Sequence, residues 1–193
     1  ALFDNPLEWI GELAQKTGET SVRQAIMTAM QILSKEFVMG NDFNSVIKSS
    51  NLRKSIHSFD MLGEAARTKT QAEGFYDSYV EAIERVANLN REHEINHGVS
   101  IKLSALHPRY ETLKYKLIKK EILNSILSLV NLAYQNDVEI TIDAEEQHRL
   151  SISQDVIEEV AMSKKIKDWN GLGFAIQASG KRAAIVVNWA TEL

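Results

Sequence analysis

Four short segments alternate apolar and polar residues, and stretches with helical periodicity separate them. The segments are HSFDMLGE (57–64), VSIKLSAL (99–106), the run from Val138 to Ala144, and GLGFAIQA (171–178). Between them, residues 70–90 carry Phe75, Tyr79, Ile83, Val86 and Leu89 at helical spacing. Residues 114–135 do the same with Ile118, Ile122, Leu129 and Leu132, and the pair Ser151 and Gln154 reads as a capping box opening a further helix. A last amphipathic piece covers 181–193. Parallel neighbours can be joined only by a crossover, so this rhythm predicts βαβ units and a parallel sheet.

Side-chain parity then decides which kind of sheet. If the strongly apolar set of each strand faces the helices, that set is Phe59 and Met61; Val99, Ile101 and Leu103; Val138, Ile140 and Ile142; Leu172, Phe174 and Ile176. The opposite parity holds Asp60, Leu62 and Glu64; Ser100, Lys102 and Ser104; Glu139, Thr141 and Asp143; Gly173, Ala175 and Gln177. A doubly wound sheet is apolar on both faces, whereas a barrel wall becomes polar inward at its C-terminal mouth. Asp60, Glu64, Lys102, Asp143 and Gln177 are therefore expected to converge on one mouth, with Asp143 in register with Lys102 and Gln177. A lysine and two carboxylates on neighbouring strands also fit a buried ion-pair network without function. Polar residues at matched parity on consecutive strands favour a site.

The block before residue 57 reads as helices. Asn5-Pro6-Leu7-Glu8 supplies a start signal for a helix through about Gln15, which Gly18 ends. Val22, Ile26, Met30 and Leu33 mark a second helix with Gly40 placed to terminate it, and 42–50 suit a third. The chain thus divides into a helical accessory segment, 1–56, and a barrel-like segment, 57–193. Its 22 basic and 26 acidic residues give a net charge of −4 without a basic stripe, which disfavours nucleic acid as a partner. Cysteine is absent, so no disulfide or thiolate site exists, in keeping with a reducing cytoplasm. No apolar run reaches membrane-spanning length, and a soluble protein is expected. His57, His93, His97, His107 and His148 show no metal-ligand spacing and read as loop or surface residues; no metal site is expected. Glu145 and Glu146 suit either a helix cap or the solvent.

SFDMLGEAA (58–66), SIKLSALHPRY (100–110), IDAEE (142–146) and WNGLGFAIQA (169–178), in this order and spacing, resemble the proline dehydrogenase domain of bacterial proline utilization A. QKTGE (15–19) and EFVMG (36–40) extend the likeness over nearly the whole chain. The resemblance implies a distorted (β/α)8 barrel, of which this α/β chain would form about half, four strand-helix units behind a helical N-terminal block. It implies FAD at the mouth, oxidation of L-proline to pyrroline-5-carboxylate by hydride transfer to the flavin, and electrons passed to a quinone at the membrane surface. The location it implies is cytoplasmic, or peripheral at the inner face of the membrane.

By motif, Lys102 resembles the lysine that holds the proline carboxylate, and Asp143 the strand-end aspartate beside the substrate. These two are the catalytic candidates. Asp60 and Glu64 match the acidic end of the first barrel strand as substrate-site residues, while Ala144 and Gln177 resemble flavin contacts. Ser179-Gly180-Lys181-Arg182 departs from the Tyr-Gln pair that normally precedes the Lys-Arg of the family's fourth strand. The family's later strands, with their flavin-binding and carboxylate-clamping cations and aromatic lid, are absent from these 193 residues, and the chain by itself is expected to be inactive. Two other readings stay open: a non-catalytic oligomerising piece that binds no flavin, and another (β/α)-barrel enzyme that uses the Lys-Asp-Gln constellation.

Overall fold

A computed structural model describes residues 18–34, 40, 43, 46, 52 and 55–193. The chain forms two compact units, Ala1–Asn51 and Leu52–Leu193. In the first, helix α1 (Glu19–Ser34) follows Gly18, whose carbonyl accepts from the Val22 N–H. Of the stripe that predicts this helix, Val22 is buried, but Ile26, Met30 and Leu33 are exposed. The expected helix at 5–15 lies outside the described residues, as does most of the one at 42–50.

The second unit alternates as the rhythm requires: β1 (Ser58–Asp60), α2 (Lys69–His93), β2 (Gly98–Ile101), α3 (Tyr115–Asn136), β3 (Glu139–Ile142), α4 (Leu150–Ala161), β4 (Leu172–Phe174) and α5 (Ala183–Glu192). The strands make one parallel sheet in the order β1-β2-β3-β4. Sequential order without a switch point is the order of a barrel wall rather than of a doubly wound sheet. The fold class is therefore α/β, with four successive units of a (β/α) barrel.

Parity sorts the faces as expected. Val99, Ile101, Val138, Ile140 and Ile142 are buried on the helix-covered side, each worth about 1.5–3 kcal/mol of transfer free energy. They meet Ile83 and Val86 of α2, Ile122, Ile126 and Leu129 of α3, and Val156 of α4 in one core. On the opposite face Asp60, Glu139, Gly173 and Ala175 are exposed. At β4 the outer layer is completed by Trp189 of α5, whose ring lies 5.5 Å from that of Phe174.

Helix ends follow local chemistry. Thr68 caps α2 by accepting from the Gln71 N–H, while the Gln71 side chain accepts from the Arg67 N–H. Glu94 and Asp137 take left-handed conformations (φ 55° and 54°) that close α2 and α3. The expected cap at Ser151 does not form. The 3-10 turn Gln147–Arg149 runs directly into α4, so the helix starts at Leu150 and Ser151 already lies within its first turn.

Two histidines also differ from expectation, because His97 and His107 are buried rather than at the surface. The His97 ring stacks on His57 at 5.5 Å, and its Nδ1 accepts from the His57 N–H, which places the ring proton on Nε2. That Nε2 is buried without a hydrogen-bond partner among the described residues. The loop brings His97 under the start of β2, where Asn90 holds its backbone through both N–H and C=O.

Burial, followed by the nearby His57 and His93, lowers the pKa of His97 from 6.5. The neutral ring is the native form, so its stabilising contribution is complete above pH 6.5 and is lost as pH falls through the folded value. Urea unfolding should therefore show stability dropping below this pH, with a shallower drop in His97→Gln; equal slopes would exclude His97 as the cause. A second prediction concerns Gly98, where an added Cβ would sit 2.9 Å from the Glu139 carbonyl oxygen across the β2–β3 pairing. Backbone cannot yield as a side chain can, and Gly98→Ala is expected to cost about 1–3 kcal/mol in the same measurement.

Candidate functional site

At the C-terminal ends of the strands the polar parity set becomes a charge cluster. Register pairs Asp60 with Ser100, and Ile101 with Ile142, so Lys102 and Asp143 leave the ladder side by side. The Asp143 N–H still donates to the Ile101 carbonyl at 2.9 Å. The Lys102 ammonium lies 2.5 and 2.6 Å from the two Asp60 oxygens and 3.3 Å from Asp143 Oδ2. The other Asp143 oxygen accepts from the Ala144 N–H at 2.9 Å. Lys102 is 13% exposed in its side chain, while Asp60 and Asp143 stay open to solvent at 47% and 32%. Burial alone would lower the lysine pKa, but hydrogen bonds and charge from Asp60, then from Asp143, outweigh it and raise the value above 10.5. The group is a permanent cation near neutral pH, able to hold an anion and unable to serve as a base.

Two other expected site residues, Glu64 and Gln177, make no direct contact with this cluster. Glu64 is exposed and has no hydrogen-bond or ion-pair partner among the described residues. Gln177 does not share the layer of Lys102 and Asp143. Because Thr141 pairs with Gly173, Asp143 falls level with Ala175, and Gln177 stands two residues higher, beyond the end of β4. Its side-chain oxygen lies 3.4 Å from Gln147 Nε2. Gln147 in turn accepts from Arg182 through its backbone carbonyl and its side chain, at 2.5 and 3.2 Å. Gly180 makes room for this arrangement, since a Cβ there would lie 2.6 Å from Gln147 Nε2. The Ser-Gly departure in the sequence therefore coincides with a close side-chain approach.

Next to Asp143 a narrow cleft of about 40 Å³ opens between the ends of β3 and β4 and helices α4 and α5. Asp143, Gln147, Gln177 and Arg182 form its polar side, and Phe174, Ile176 and Trp189, of the helix-facing layer, its apolar side. Exposed Gly173 and Ala175 leave the inward surface of β4 without bulk.

Glu145, open to two readings in the sequence, is neither cap nor solvent-facing. Its side chain is 6% exposed, Oε1 accepts from the Ser104 N–H at 3.1 Å, and Oε2 pairs with Arg149 at 3.3 Å. Burial raises its pKa against those stabilising partners. Glu146 points outward and pairs with the same guanidinium at 3.0 Å. Sequence reasoning missed Tyr79, Arg149 and Gln147. Tyr79 reads as core because it occupies the apolar stripe of α2, and nothing in its spacing signals that its hydroxyl reaches a strand end. Among the described residues no group of three or more potential ligands is placed to hold a metal ion, and no helix is long and apolar enough to cross a membrane.

Comparison with known proteins agrees with this architecture. The family model for proline dehydrogenase matches residues 44–193. The bifunctional PutA protein of Escherichia coli (strain K12) is 37% identical over 191 residues, and that of Rhizobium meliloti 35% over 187, each match covering 95% of this chain. The chain spans only 14% and 15% of the length of these relatives. A crystal structure of proline utilization A from Bradyrhizobium japonicum superposes with a TM-score of 0.73 at 37% identity, covering 93% of this chain and 19% of the other. The matches span the charge cluster and the cleft alike, and the chain belongs to the proline dehydrogenase family.

Proposed function

We propose that this chain supplies the proline- and flavin-facing wall of an enzyme that oxidises L-proline to pyrroline-5-carboxylate and passes the electrons to a quinone. The observation that carries the reading is the Lys102 ammonium, held between Asp60 and Asp143 directly beside the cleft lined by Ala144 and Gln177. Family membership sets the reaction class; the cluster has the polarity that a zwitterionic amino acid needs. Lys102 binds the substrate carboxylate as a fixed cation. Asp143, with one oxygen on Lys102 and the other on the Ala144 N–H, keeps a negative charge next to the substrate amine and orients it. Asp60 holds Lys102 from the opposite side and, with Glu64, makes that rim acidic. Ala144 and Gln177, at the C-terminal ends of β3 and β4, would border an FAD ring at the mouth, with Gln177 hydrogen-bonding its edge. When bound, FAD supplies the acceptor for the substrate hydride. The protein's task is to hold the substrate carbon in place and to exclude water.

Cytoplasmic residence, with peripheral contact to a quinone-bearing membrane, accompanies this reading, and so does self-association through the outer strands of the sheet. β1 and β4 each have one edge without a strand partner among the described residues, and open edges recruit further strands. A four-strand arc is not a closed barrel. The isolated 193-residue chain is accordingly expected to show no proline:quinone turnover, and robust turnover would refute that part of the reading.

In the longer protein carrying this sequence, purification should yield flavin absorbance. Lys102→Ala should raise the KM for proline by roughly ten- to a hundredfold, the usual worth of a hydrogen bond to a charged group. Asp143→Ala should weaken binding of a non-oxidisable proline analogue, measured calorimetrically. Unchanged affinity in both variants would remove this cluster from the substrate site. Since Lys102 stays charged to above 10.5, its loss of charge should raise KM only in that alkaline range. Any inflection nearer neutrality would have to vanish in another residue's variant rather than in Lys102→Ala.

A further inference from the structure

Lys102 stands where the ladder stops. Immediately after it the chain turns into a 3-10 helix, Leu103–Ala105, so the N–H groups of 102 and 104 lose the strand partners that regular pairing would supply. Both are nevertheless satisfied, and by side chains from two different elements. The Lys102 N–H donates to the Tyr79 hydroxyl at 3.0 Å, and the Ser104 N–H to Glu145 Oε1 at 3.1 Å. Tyr79 is 1% exposed at the middle of α2. Glu145 comes from the loop after β3 and is itself held by Arg149, one residue before α4.

Ser104 carries the linkage to the third strand end. Its hydroxyl accepts from the Ala65 N–H at 2.9 Å and its carbonyl from the Ala66 N–H at 3.0 Å, which ties down the loop that leaves β1 beyond Asp60. The segment 102–104 is thus gripped at both ends, and the three loops bearing Asp60, Lys102 and Asp143 meet at its bonds. Burial pushes the Tyr79 hydroxyl up to about 12, so it stays a neutral phenol whose oxygen accepts from the Lys102 N–H.

We propose that Tyr79 and Glu145 are positioning residues for proline oxidation: their grip on the 102 and 104 backbone amides sets where the Lys102 ammonium meets the substrate carboxylate. The inference rests on the reading of Lys102 given above. A purely structural role, satisfying buried donors, would lower stability and leave the substrate affinity of the folded enzyme unchanged. A positioning role moves KM through Lys102 and nothing else.

The experiment uses the longer flavin-loaded protein that contains this chain, with activities normalised to bound flavin. Tyr79→Phe removes one oxygen, Glu145→Ala removes the carboxylate, and Glu145→Gln restores an acceptor for the Ser104 N–H. Tyr79→Phe and Glu145→Ala should each raise the KM for proline about three- to tenfold, the worth of one hydrogen bond, with kcat changed far less. Glu145→Gln should return most of the loss. Introduced into Lys102→Ala, neither substitution should raise KM further. Unchanged KM in the single variants, or an equal rise with and without Lys102, would overturn the proposal. Should Lys102→Ala itself leave KM untouched, the reading of Lys102 fails first and this inference with it. If Glu145→Ala does not fold, Tyr79→Phe decides alone.

Discussion

Everything in the second unit depends on a parallel ladder with only one apolar face. A parallel strand must be followed by a crossover, and right-handed crossovers in unbroken order lay every helix on the same side. The β2 and β3 residues Val99, Ile101, Ile140 and Ile142 are buried on that side. The side chains of opposite parity are thereby committed to the other surface, whatever their chemistry. This is why a lysine and two carboxylates can occupy strand ends next to a closely packed core without being buried in it.

The charge cluster is stable for a reason that also makes it useful. A lysine with little exposure would tend to lose its proton. Placing the ammonium between Asp60 and Asp143 removes that tendency, while the solvent-open carboxylates spare the site the full desolvation penalty of a buried ion pair. The remaining lone pairs and donors are used locally, as where Ala144 donates to Asp143. The result is a cation of fixed position beside an apolar-walled cleft, in keeping with the proline dehydrogenase family to which the chain belongs.

Much of this was legible before any coordinates. Alternation in VSIKLSAL and in the strand ending at Asp143 set the parity of Lys102 and Asp143, and the helical stripes of 70–90 and 114–135 matched α2 and α3 to within a few residues. The failures have physical causes. Ser151 resembles a cap, but a 3-10 turn carried the chain into the helix before reaching it. His97 and His107 resemble loop residues, and they are in loops, yet those loops pass beneath strand ends and bury the rings. Gln177 shares parity with Asp143, but parity says nothing of height, and only the pairing of Thr141 with Gly173 placed it one layer further out.

By itself the sequence determined the class of sheet, the side to which each strand residue points and the family, because periodicity and motif are properties of consecutive residues. The tertiary structure decided which of the inward residues touch. Lys102, Asp60 and Asp143 meet because the register of three strands sets their heights, and Tyr79 and Glu145 reach the same segment because the middle of α2 and the loop after β3 pass beside the end of β2. The run of acids at 143, 145 and 146 sorts for the same reason. One carboxylate faces the mouth, one is buried against a neighbouring loop, and one meets solvent, as the turn after β3 successively reorients the chain.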